Sequence, residues 1–271
     1  MEKITFSDLG YVLYINPHES RGQFLLAHQG ITQPKITSFW KKAVAYFQPS
    51  VALDVGVNYG EILFSSAYAK EVTVIGIEAN DTLAPYIHHS LHEHPNREQI
   101  HIVYALASDR DDEQAFFYIN PQYSGTSTAI PSPAFQQRQV RSVTIDTVMK
   151  GLTRKAHRLL FKMDVEGYEA KVWGGMEATL QACQEALGCI EFNNQFLEQA
   201  GTSGNELLEK LKQQFHVYYL LNDTQVVKFK SLDLNTLTRY FNKPNVHADL
   251  LLVQNEHTLQ QLQYQITTYE E

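Results

Sequence analysis

The side chains with the clearest capacity for chemistry in this sequence are carboxylates at the ends of apolar runs. They are Asp54, Glu78, Asp164, Glu166, Glu169 and Glu191. A carboxylate without a partner is costly to bury, so acids that recur beside apolar segments indicate binding of a ligand, a cation or a reacting group. Each could also be a solvated strand end or the cap of a helix.

The first of these acids belongs to a strand and turn. Residues 51–55 are apolar apart from Asp54, and Gly56 and Gly60 follow before an amphipathic segment. The pattern predicts a buried parallel strand, a tight turn and a helix, which is the usual cradle for a nucleotide in open α/β sheets. A dinucleotide-binding turn needs G-x-G-x-x-G, which this turn lacks. An NAD-dependent oxidoreductase is therefore the weaker alternative.

The next strand ends supply polar groups that a nucleoside could use. Glu78 ends the apolar run 72–77, about 20 residues beyond the glycines, where a carboxylate can accept hydrogen bonds from both ribose hydroxyls. Ser108 and Asp109 follow the predicted strand 100–105. They could reach an adenine edge, or they could simply form the turn.

A second group of acids lies further along the chain. Asp164 and Glu166 follow the predicted strand 159–163, and Glu191 ends the next one. Since the carboxyl ends of parallel strands meet in one crevice, these carboxylates should converge and could remove the proton of a reacting hydroxyl. Equally, Asp164 could cap a helix, with Glu166 and Glu169 near its positive N-terminus. Asp164 and Glu191 could also hold a divalent cation that binds a vicinal diol, although a metal is not expected.

These acids require a sheet that brings strand ends together. Strands and helices alternate from residue 51, which predicts an α/β fold with a doubly wound, mostly parallel seven-stranded sheet. A β-hairpin over residues 9–28 and a helix from Pro34 to Phe47 are predicted to precede it.

The chain divides into three predicted parts. Residues 1–48 form the hairpin and helix that pack on the core, and residues 49–255 form the ligand-binding domain. Residues 256–271 form a polar tail, which could be solvated, a weak helix or an oligomer contact. Within the domain, residues 114–119 and 140–145 are predicted to pair as strands. The hydroxyl-rich loop 123–128 between them is either a lid over the site or an idle surface loop.

Composition excludes several classes of function. The formal net charge is -8 without a run of Lys or Arg, which argues against a nucleic-acid-binding surface because phosphates need clustered cations. No apolar stretch is long enough for a membrane span and no leader pattern is seen, so a cytoplasmic protein is expected. The two cysteines, Cys183 and Cys189, do not suit a zinc or disulfide framework.

Taken in order, these motifs resemble those of FkbM-type methyltransferases, which use S-adenosylmethionine (SAM). The resemblance covers about residues 50–195. It rests on residues 54–60, 78–80, 105–109, 124–128, 143–146, 162–167 and 190–191. Val57 and Tyr59 replace the smaller residues usual in the glycine turn, and Tyr168 stands where Ala is common.

The resemblance implies SAM as cofactor and O-methylation of a hydroxyl on a sugar, glycan or secondary metabolite. The cofactor-binding residues would be Asp54, Gly56, Asn58, Gly60, Glu78, Ala79, Ser108, Asp109 and Asp164. The expected catalytic residues are Asp164, Glu166 and Glu191. A small molecule or glycan is the expected partner, and a homo-oligomer is left open. A non-catalytic SAM-fold scaffold in a biosynthetic assembly is the other alternative.

Overall fold

The computed structural model describes residues 1–6, 10–152 and 157–270. The strands are β1 (Glu2–Thr5), β2 (Val12–Ile15), β3 (Val51–Val55), β4 (Thr73–Glu78), β5 (Ile100–Tyr104), β6 (Leu106–Ala107), β7 (Asp112–Ile119), β8 (Gln136–Val143), β9 (Arg158–Met163), β10 (Glu185–Asn193), β11 (His216–Leu220), β12 (Gln225–Phe229), β13 (His247–Val253) and β14 (Gln265–Tyr269). The helices are α1 (Ser20–Ala27), α2 (Pro34–Lys42), α3 (Ala84–Glu93), α4 (Ile145–Lys150), α5 (Glu169–Gly174), α6 (Glu177–Ala182), α7 (Asn194–Gln199), α8 (Gly204–Lys212), α9 (Leu234–Phe241) and α10 (His257–Gln261). Among these described helices, none has the length and apolar character needed to cross a membrane.

Within the described residues, the main sheet has nine strands in the order β14-β12-β11-β13-β10-β9-β3-β4-β5. The strands from β10 to β5 are parallel, and β13 is antiparallel to both β10 and β11. Alternate residues of β3 face two separate apolar cores, with Ala52 on one side and Val51 and Leu53 on the other. The predicted doubly wound α/β class is confirmed, but the sheet has nine strands rather than seven.

The C-terminal segment accounts for part of this difference. β12 is antiparallel to β11, and β14 is parallel to β12, with Gln225 opposite Gln265. The polar tail predicted for residues 256–271 contains α10, which fits the weak helix among the alternatives, and β14, which was not predicted. Leu259 and Leu262 anchor the segment in the core, whereas the side chains of β14 are mostly exposed. A strand held mainly by backbone hydrogen bonds carries no hydrophobic pattern to reveal it.

The N-terminal segment also differs from its prediction. β1 and β2 pair antiparallel, and residues 20–27 form α1, so the predicted hairpin over 9–28 is wrong in extent. Its first residue, Leu9, lies outside the described residues. Glu19 caps α1 by accepting hydrogen bonds from the N–H groups of Arg21 and Gly22. Glu is not among the residues that usually mark a helix start, so this cap was hard to read from the sequence.

The segment before β3 is helical, as its periodicity predicts. α2 begins at Pro34 and buries Ile36, Phe39 and Trp40, and a π-helical turn, Ala43–Phe47, continues it. Proline suits the first helical turn because its missing N–H would have no partner there.

The glycine turn does not lead into an α-helix. The predicted strand and turn are present, but the residues after Gly60 form only a 3₁₀ turn, Leu63–Ser65. In the segment 61–68, only Ala67 is exposed. The segment is therefore buried on all sides rather than amphipathic, and the predicted helix is wrong.

A small second sheet lies beside the main one. It has the order β6-β8-β7, and β7 and β8 are antiparallel, with Ala115 opposite Val140. The predicted pairing of these two segments is confirmed, but the second strand spans Gln136–Val143 rather than residues 140–145, because Ile145 already begins α4. The hydroxyl-rich loop 123–128 connects these strands.

Candidate active site

A cavity of about 370 Å³ opens at the carboxyl ends of β3, β4, β9 and β10. Part of its wall is apolar and includes Ala79, Ala107 and Phe117. Another part carries the carboxyl groups of Asp164, Glu166 and Glu191, and the loop 123–127 also lines it. The cavity therefore lies where open α/β sheets bind ligands.

The glycine turn forms one edge of this cavity. Gly56 has a φ of +84°, and a Cβ atom there would lie 1.9 Å from the backbone oxygen of Asp164. The N–H of Gly56 donates to the carbonyl of Ile77 at 2.9 Å. Both the left-handed backbone and the close approach exclude a side chain at this position.

Glu78 is buried at the end of β4 and lines the cavity. Its Oε1 accepts a hydrogen bond from the N–H of Asn80, and its Oε2 accepts one from the N–H of Asn58, both at 2.7 Å. Burial raises the pKa of Glu78, and the two N–H donors oppose that shift. Because each carboxylate oxygen can accept a further hydrogen bond, Glu78 retains acceptor capacity for two ligand hydroxyls.

Lys162 is the buried cation of the site. Its Nζ donates to the carbonyl of Gly56 at 2.8 Å and lies 3.4 Å from Asp54 Oδ1 and 3.5 Å from Asp164 Oδ2. Burial opposes its charge, but the two carboxylates outweigh burial and raise the pKa of Lys162. Lys162 thus links Asp54 and Asp164 electrostatically.

The two acidic partners of Lys162 have pKa values shifted in opposite directions. Burial raises the pKa of Asp54 to about 6 in spite of Lys162, and among the described residues no donor meets hydrogen-bond geometry at either carboxyl oxygen of Asp54. For Asp164, burial also acts to raise the pKa, but Lys162, a hydrogen bond from Gln33 and the charge of Arg21 lower it overall. Asp164 is therefore ionised at neutral pH.

Asp164, Glu166 and Glu191 form an acidic cluster, in which one oxygen of each carboxyl lies within 4.8 Å of the others. Burial, followed by Glu191 and Asp164, raises the pKa of Glu166 to about 10. Burial and Asp164 raise the pKa of Glu191 to about 7. Glu166 also has a φ of +55°, and Gly167 follows at +97°, so the turn after β9 has an uncommon backbone.

A histidine and a further acid border this cluster. His247, at the start of β13, lies with its Nε2 2.7 Å from Glu191 Oε1, and the hydrogen bond raises the pKa of His247. Glu169 accepts hydrogen bonds from the N–H groups of Val165 and Gly167. Burial and then Glu191 raise the pKa of Glu169 to about 8.

The N-terminal segment supplies part of the cavity wall. Arg21 pairs with Glu61 at 2.9 Å, and both side chains are buried. Glu61 also accepts hydrogen bonds from the N–H groups of Thr32 and Gln33 at 2.6 and 2.7 Å. These contacts fix Arg21 and Gln33 at the cavity, where Gln33 donates to Asp164 at 3.1 Å.

The hydroxyl-rich loop is attached to the same segment. Glu19 accepts hydrogen bonds from both the N–H and the hydroxyl of Ser124 at 3.1 Å, in addition to capping α1. Ser124 lines the cavity and is almost completely buried. The position of the loop fits the predicted lid, while its opening stays a prediction.

The structure brings most of the predicted site residues to the cavity, but not all. Those that line it are Gly56, Asn58, Glu78, Ala79, Asp164, Glu166 and Glu191. Asp54 lies beneath it against Lys162, and Gly60 faces the ring of Phe64.

Ser108 and Asp109 are also absent from the cavity wall. Asp109 pairs with Lys171 of α5 at 3.1 Å, and the hydroxyl of Ser108 donates to Asp109 at 3.2 Å. These contacts fit the alternative prediction, in which Ser108 and Asp109 form a turn rather than contact adenine. Both residues follow β6, which belongs to the second sheet. The apolar neighbours Leu106 and Ala107 line the cavity instead.

Sequence reasoning missed several residues at the cavity: Arg21, Gln33, Glu61, Lys162 and His247. A lysine inside the apolar run of β9 was a usable signal, because lysine is rarely buried without a partner. The others reach the site only through the tertiary fold and carried no local signal.

The family model of the methyltransferase FkbM domain matches residues 54–218, more than half of the chain. No curated protein matches the chain. Similar solved structures include precorrin-6y C5,15-methyltransferase from Geobacter metallireducens, at 9% identity over 82% of this chain and 89% of that one, with a TM-score of 0.43. An O-methyltransferase from Bacillus cereus in complex with S-adenosylhomocysteine (SAH) has 10% identity over 85% and 87%, with a TM-score of 0.45. The O-methyltransferase TomG from Streptomyces achromogenes, in complex with SAM, has 10% identity over 82% and 80%, with a TM-score of 0.40.

Proposed function

Because this chain belongs to the FkbM methyltransferase family, we propose that it is a SAM-dependent O-methyltransferase acting on a hydroxyl of a sugar, glycan or secondary metabolite. The observation that carries the proposal is that one cavity has both an apolar wall and an acidic wall. Glu78 offers acceptor oxygens beside an apolar surface, and Asp164, Glu166 and Glu191 line the same cavity.

The residues of the first wall suit the nucleoside of SAM. Glu78 is held by two backbone N–H groups and keeps acceptor capacity for the ribose hydroxyls. Ala79, Ala107 and Phe117 provide an apolar surface of the kind that a purine base can contact. The turn at Gly56 leads from this wall to Asp164. Asp54 then acts indirectly, by holding Lys162 under the turn.

SAM supplies, when bound, a methyl group on a positively charged sulfur, so that a C–O bond forms to the acceptor as the C–S bond breaks. The acceptor hydroxyl must lose its proton during this step, because it is too weak an acid to ionise beforehand. Asp164, ionised beside Lys162, can take that proton. A positioned general base typically contributes about 10²–10⁴-fold to the rate. Glu191, with a pKa of about 7, is the second candidate base.

The proposal assigns a role to the N-terminal part of the chain as well. Residues 1–48 pack on the domain formed by residues 49–255, and Arg21 and Gln33 from that part line the acceptor side of the cavity. Arg21 and Gln33 are therefore proposed to shape the acceptor site.

Calorimetric titration with SAM, SAH and NAD tests the cofactor. SAM and SAH should bind and NAD should not, and the reverse result would favour the oxidoreductase. Asp164→Asn and Glu166→Gln should then be assayed for SAM affinity and for methyl transfer to a panel of sugars and polyols. Loss of transfer with affinity retained supports the catalytic roles. Full transfer by both variants would show that these acids only stabilise the turn and helix after β9.

A scaffold without catalysis is the second outcome of these measurements. It would bind SAM with normal affinity but transfer no methyl group to any acceptor, even one that copurifies with the protein. The intact set of Glu78, Asp164 and Lys162 favours the enzyme over the scaffold.

A further inference from the structure

The acidic cluster has more carboxyl groups than neighbouring cationic side chains. Lys162 lies 3.5 Å from Asp164, and His247 lies 2.7 Å from Glu191. In the part of the chain that the structure describes, no lysine or arginine forms an ion pair with Glu166 or Glu191. Like charges at this separation repel strongly in a buried site, so the cluster is incomplete as a set of side chains.

Glu191 shows separately that a partner is missing. Its side chain is only 10% exposed. Its Oε1 is used by His247, whereas its Oε2 is buried from solvent and has no hydrogen-bond donor among the described residues. Buried polar atoms in folded proteins are almost always satisfied. Since Glu191 lines the cavity, the missing partner is one that enters there.

The spacing of the cluster suits a metal coordination sphere. Two oxygens on opposite sides of a Ca²⁺ ion, at about 2.4 Å each, are about 4.8 Å apart, and the corresponding separation around Mg²⁺ is about 4.1 Å. The three carboxyl oxygens lie within 4.8 Å of one another. Three oxygens at this upper limit of separation lie about 2.8 Å from a common centre, so binding Ca²⁺ requires at most a small contraction of the cluster and Mg²⁺ requires a larger one. Carboxylate oxygens are the ligands that these hard cations prefer.

We propose that Asp164, Glu166 and Glu191 together bind one divalent cation, which in turn binds adjacent hydroxyl groups of the acceptor. The protein leaves part of the coordination sphere open to the cavity, because it supplies three ligands and the ion takes six or more. An acceptor diol can occupy two of these positions. The part of the inference that concerns the acceptor rests on the proposed function, whereas ion binding itself does not.

The experiment measures ion binding without cofactor or acceptor. Protein stripped with a chelator is titrated with Ca²⁺, Mn²⁺ and Mg²⁺ by calorimetry, and bound Mn²⁺ is counted by electron paramagnetic resonance. We expect one ion per chain, with Mg²⁺ the weakest of the three. No saturable binding at about 1 mM, the range of weak natural sites, overturns the proposal.

Substitutions identify the ligands. Glu166→Gln and Glu191→Gln should each weaken ion binding at least tenfold, and Glu206→Gln is the charge-matched control. Glu206 is exposed on α8, pairs with Lys210 and does not line the cavity, so its substitution should leave ion affinity unchanged. Equal affinity in the wild type and in both cluster variants would overturn the assignment of the ligands.

Melting temperatures distinguish the loss of an ion ligand from the loss of ion binding through unfolding. Without ions, Glu166→Gln should melt at the same temperature as the wild type or higher, because the neutral amide replaces a carboxyl group crowded against two other acids. Saturating Ca²⁺ should raise the melting temperature of the wild type but not of this variant. An equal rise in both would refute the site. Ion binding without SAM binding would contradict the proposed function alone, and SAM-dependent transfer without ion binding would contradict the ion site alone.

Discussion

Glu78 allows a sharp test of how the cavity binds a nucleoside. Its two carboxylate oxygens accept hydrogen bonds from the N–H groups of Asn58 and Asn80, both at 2.7 Å. Glu78→Gln keeps the shape but replaces one oxygen with an NH₂ group, which cannot accept a hydrogen bond. The substitution therefore perturbs both the turn and any bond to a ribose hydroxyl, and the experiment must separate the two effects.

Each lost hydrogen bond to a charged group costs about 1.5–3 kcal/mol. For the turn, the loss should appear as a lower melting temperature, at roughly 2–4 °C per kcal/mol for a protein of this size class. For the ligand, the same range corresponds to a roughly ten- to hundredfold weaker binding of SAH.

The assay compares SAH with its 2′,3′-dideoxy analogue by calorimetry. If Glu78 binds the ribose, Glu78→Gln should weaken SAH strongly but change the affinity of the analogue little, because the analogue lacks the hydroxyls. An equal loss for both ligands would refute the ribose contact and leave Glu78 a role in the turn alone.

Asn80→Ala is the matched control for the turn. The side chain of Asn80 accepts hydrogen bonds from the N–H and the hydroxyl of Thr82, so its loss disturbs the same segment without removing the carboxylate of Glu78. This variant should melt earlier yet retain the preference for SAH over the analogue.

Three further predictions follow from buried groups. Gly56→Ala should abolish SAM binding in calorimetry while lowering the melting temperature less, because its Cβ would displace the backbone of Asp164 at 1.9 Å; normal affinity would contradict this. Glu61→Gln should lower the urea-derived free energy of unfolding by about 3–5 kcal/mol, because Arg21 loses its buried partner, and Glu61→Leu combined with Arg21→Met should recover much of it; an unchanged midpoint for Glu61→Gln would refute the pairing. Burial lowers the pKa of His94 to about 4, below its usual 6.5. Between these pH values His94 binds a proton in the unfolded chain but not in the folded one. Roughly 3 kcal/mol of stability is therefore lost as the pH falls from 6.5 to 4. His94→Gln should flatten this part of the profile, and an identical slope would exclude His94 as its cause.

The sequence predicted the parts of the fold that have strong local patterns. The strands β3, β4, β9 and β10 are continuous apolar runs, and helix α2 has a clear period with Pro34 at its start. Each of these was predicted within a few residues. The acids that follow β9 and β10 were expected to converge, and Asp164 and Glu191 do lie together.

The segments whose predicted structure was wrong are ones in which tertiary contacts override the local sequence pattern. Residues 61–68 look helical, but the segment is buried on nearly every side and Glu61 is held by Arg21 and by the N–H groups of Thr32 and Gln33. β14 gains its place from the edge of β12 rather than from apolar side chains. Contacts over such separations in sequence leave no periodic signal.

The position of Lys162 explains why Asp164 differs in its pKa shift from Glu166 and Glu191. It lies between Asp54 and Asp164, and its charge lowers the pKa of Asp164 below the ordinary value although the carboxyl is buried. Glu166 and Glu191 have raised pKa values. For Glu166, burial and the neighbouring acids outweigh the same lysine, and for Glu191, burial and Asp164 outweigh His247. One fixed cation therefore keeps the acid next to the glycine turn ionised, and leaves the other two to be neutralised by protons or by a ligand from the cavity. Asp164 thus offers a charged oxygen to a reacting hydroxyl or to a cation, whereas Glu166 and Glu191 become cation ligands when they lose their protons.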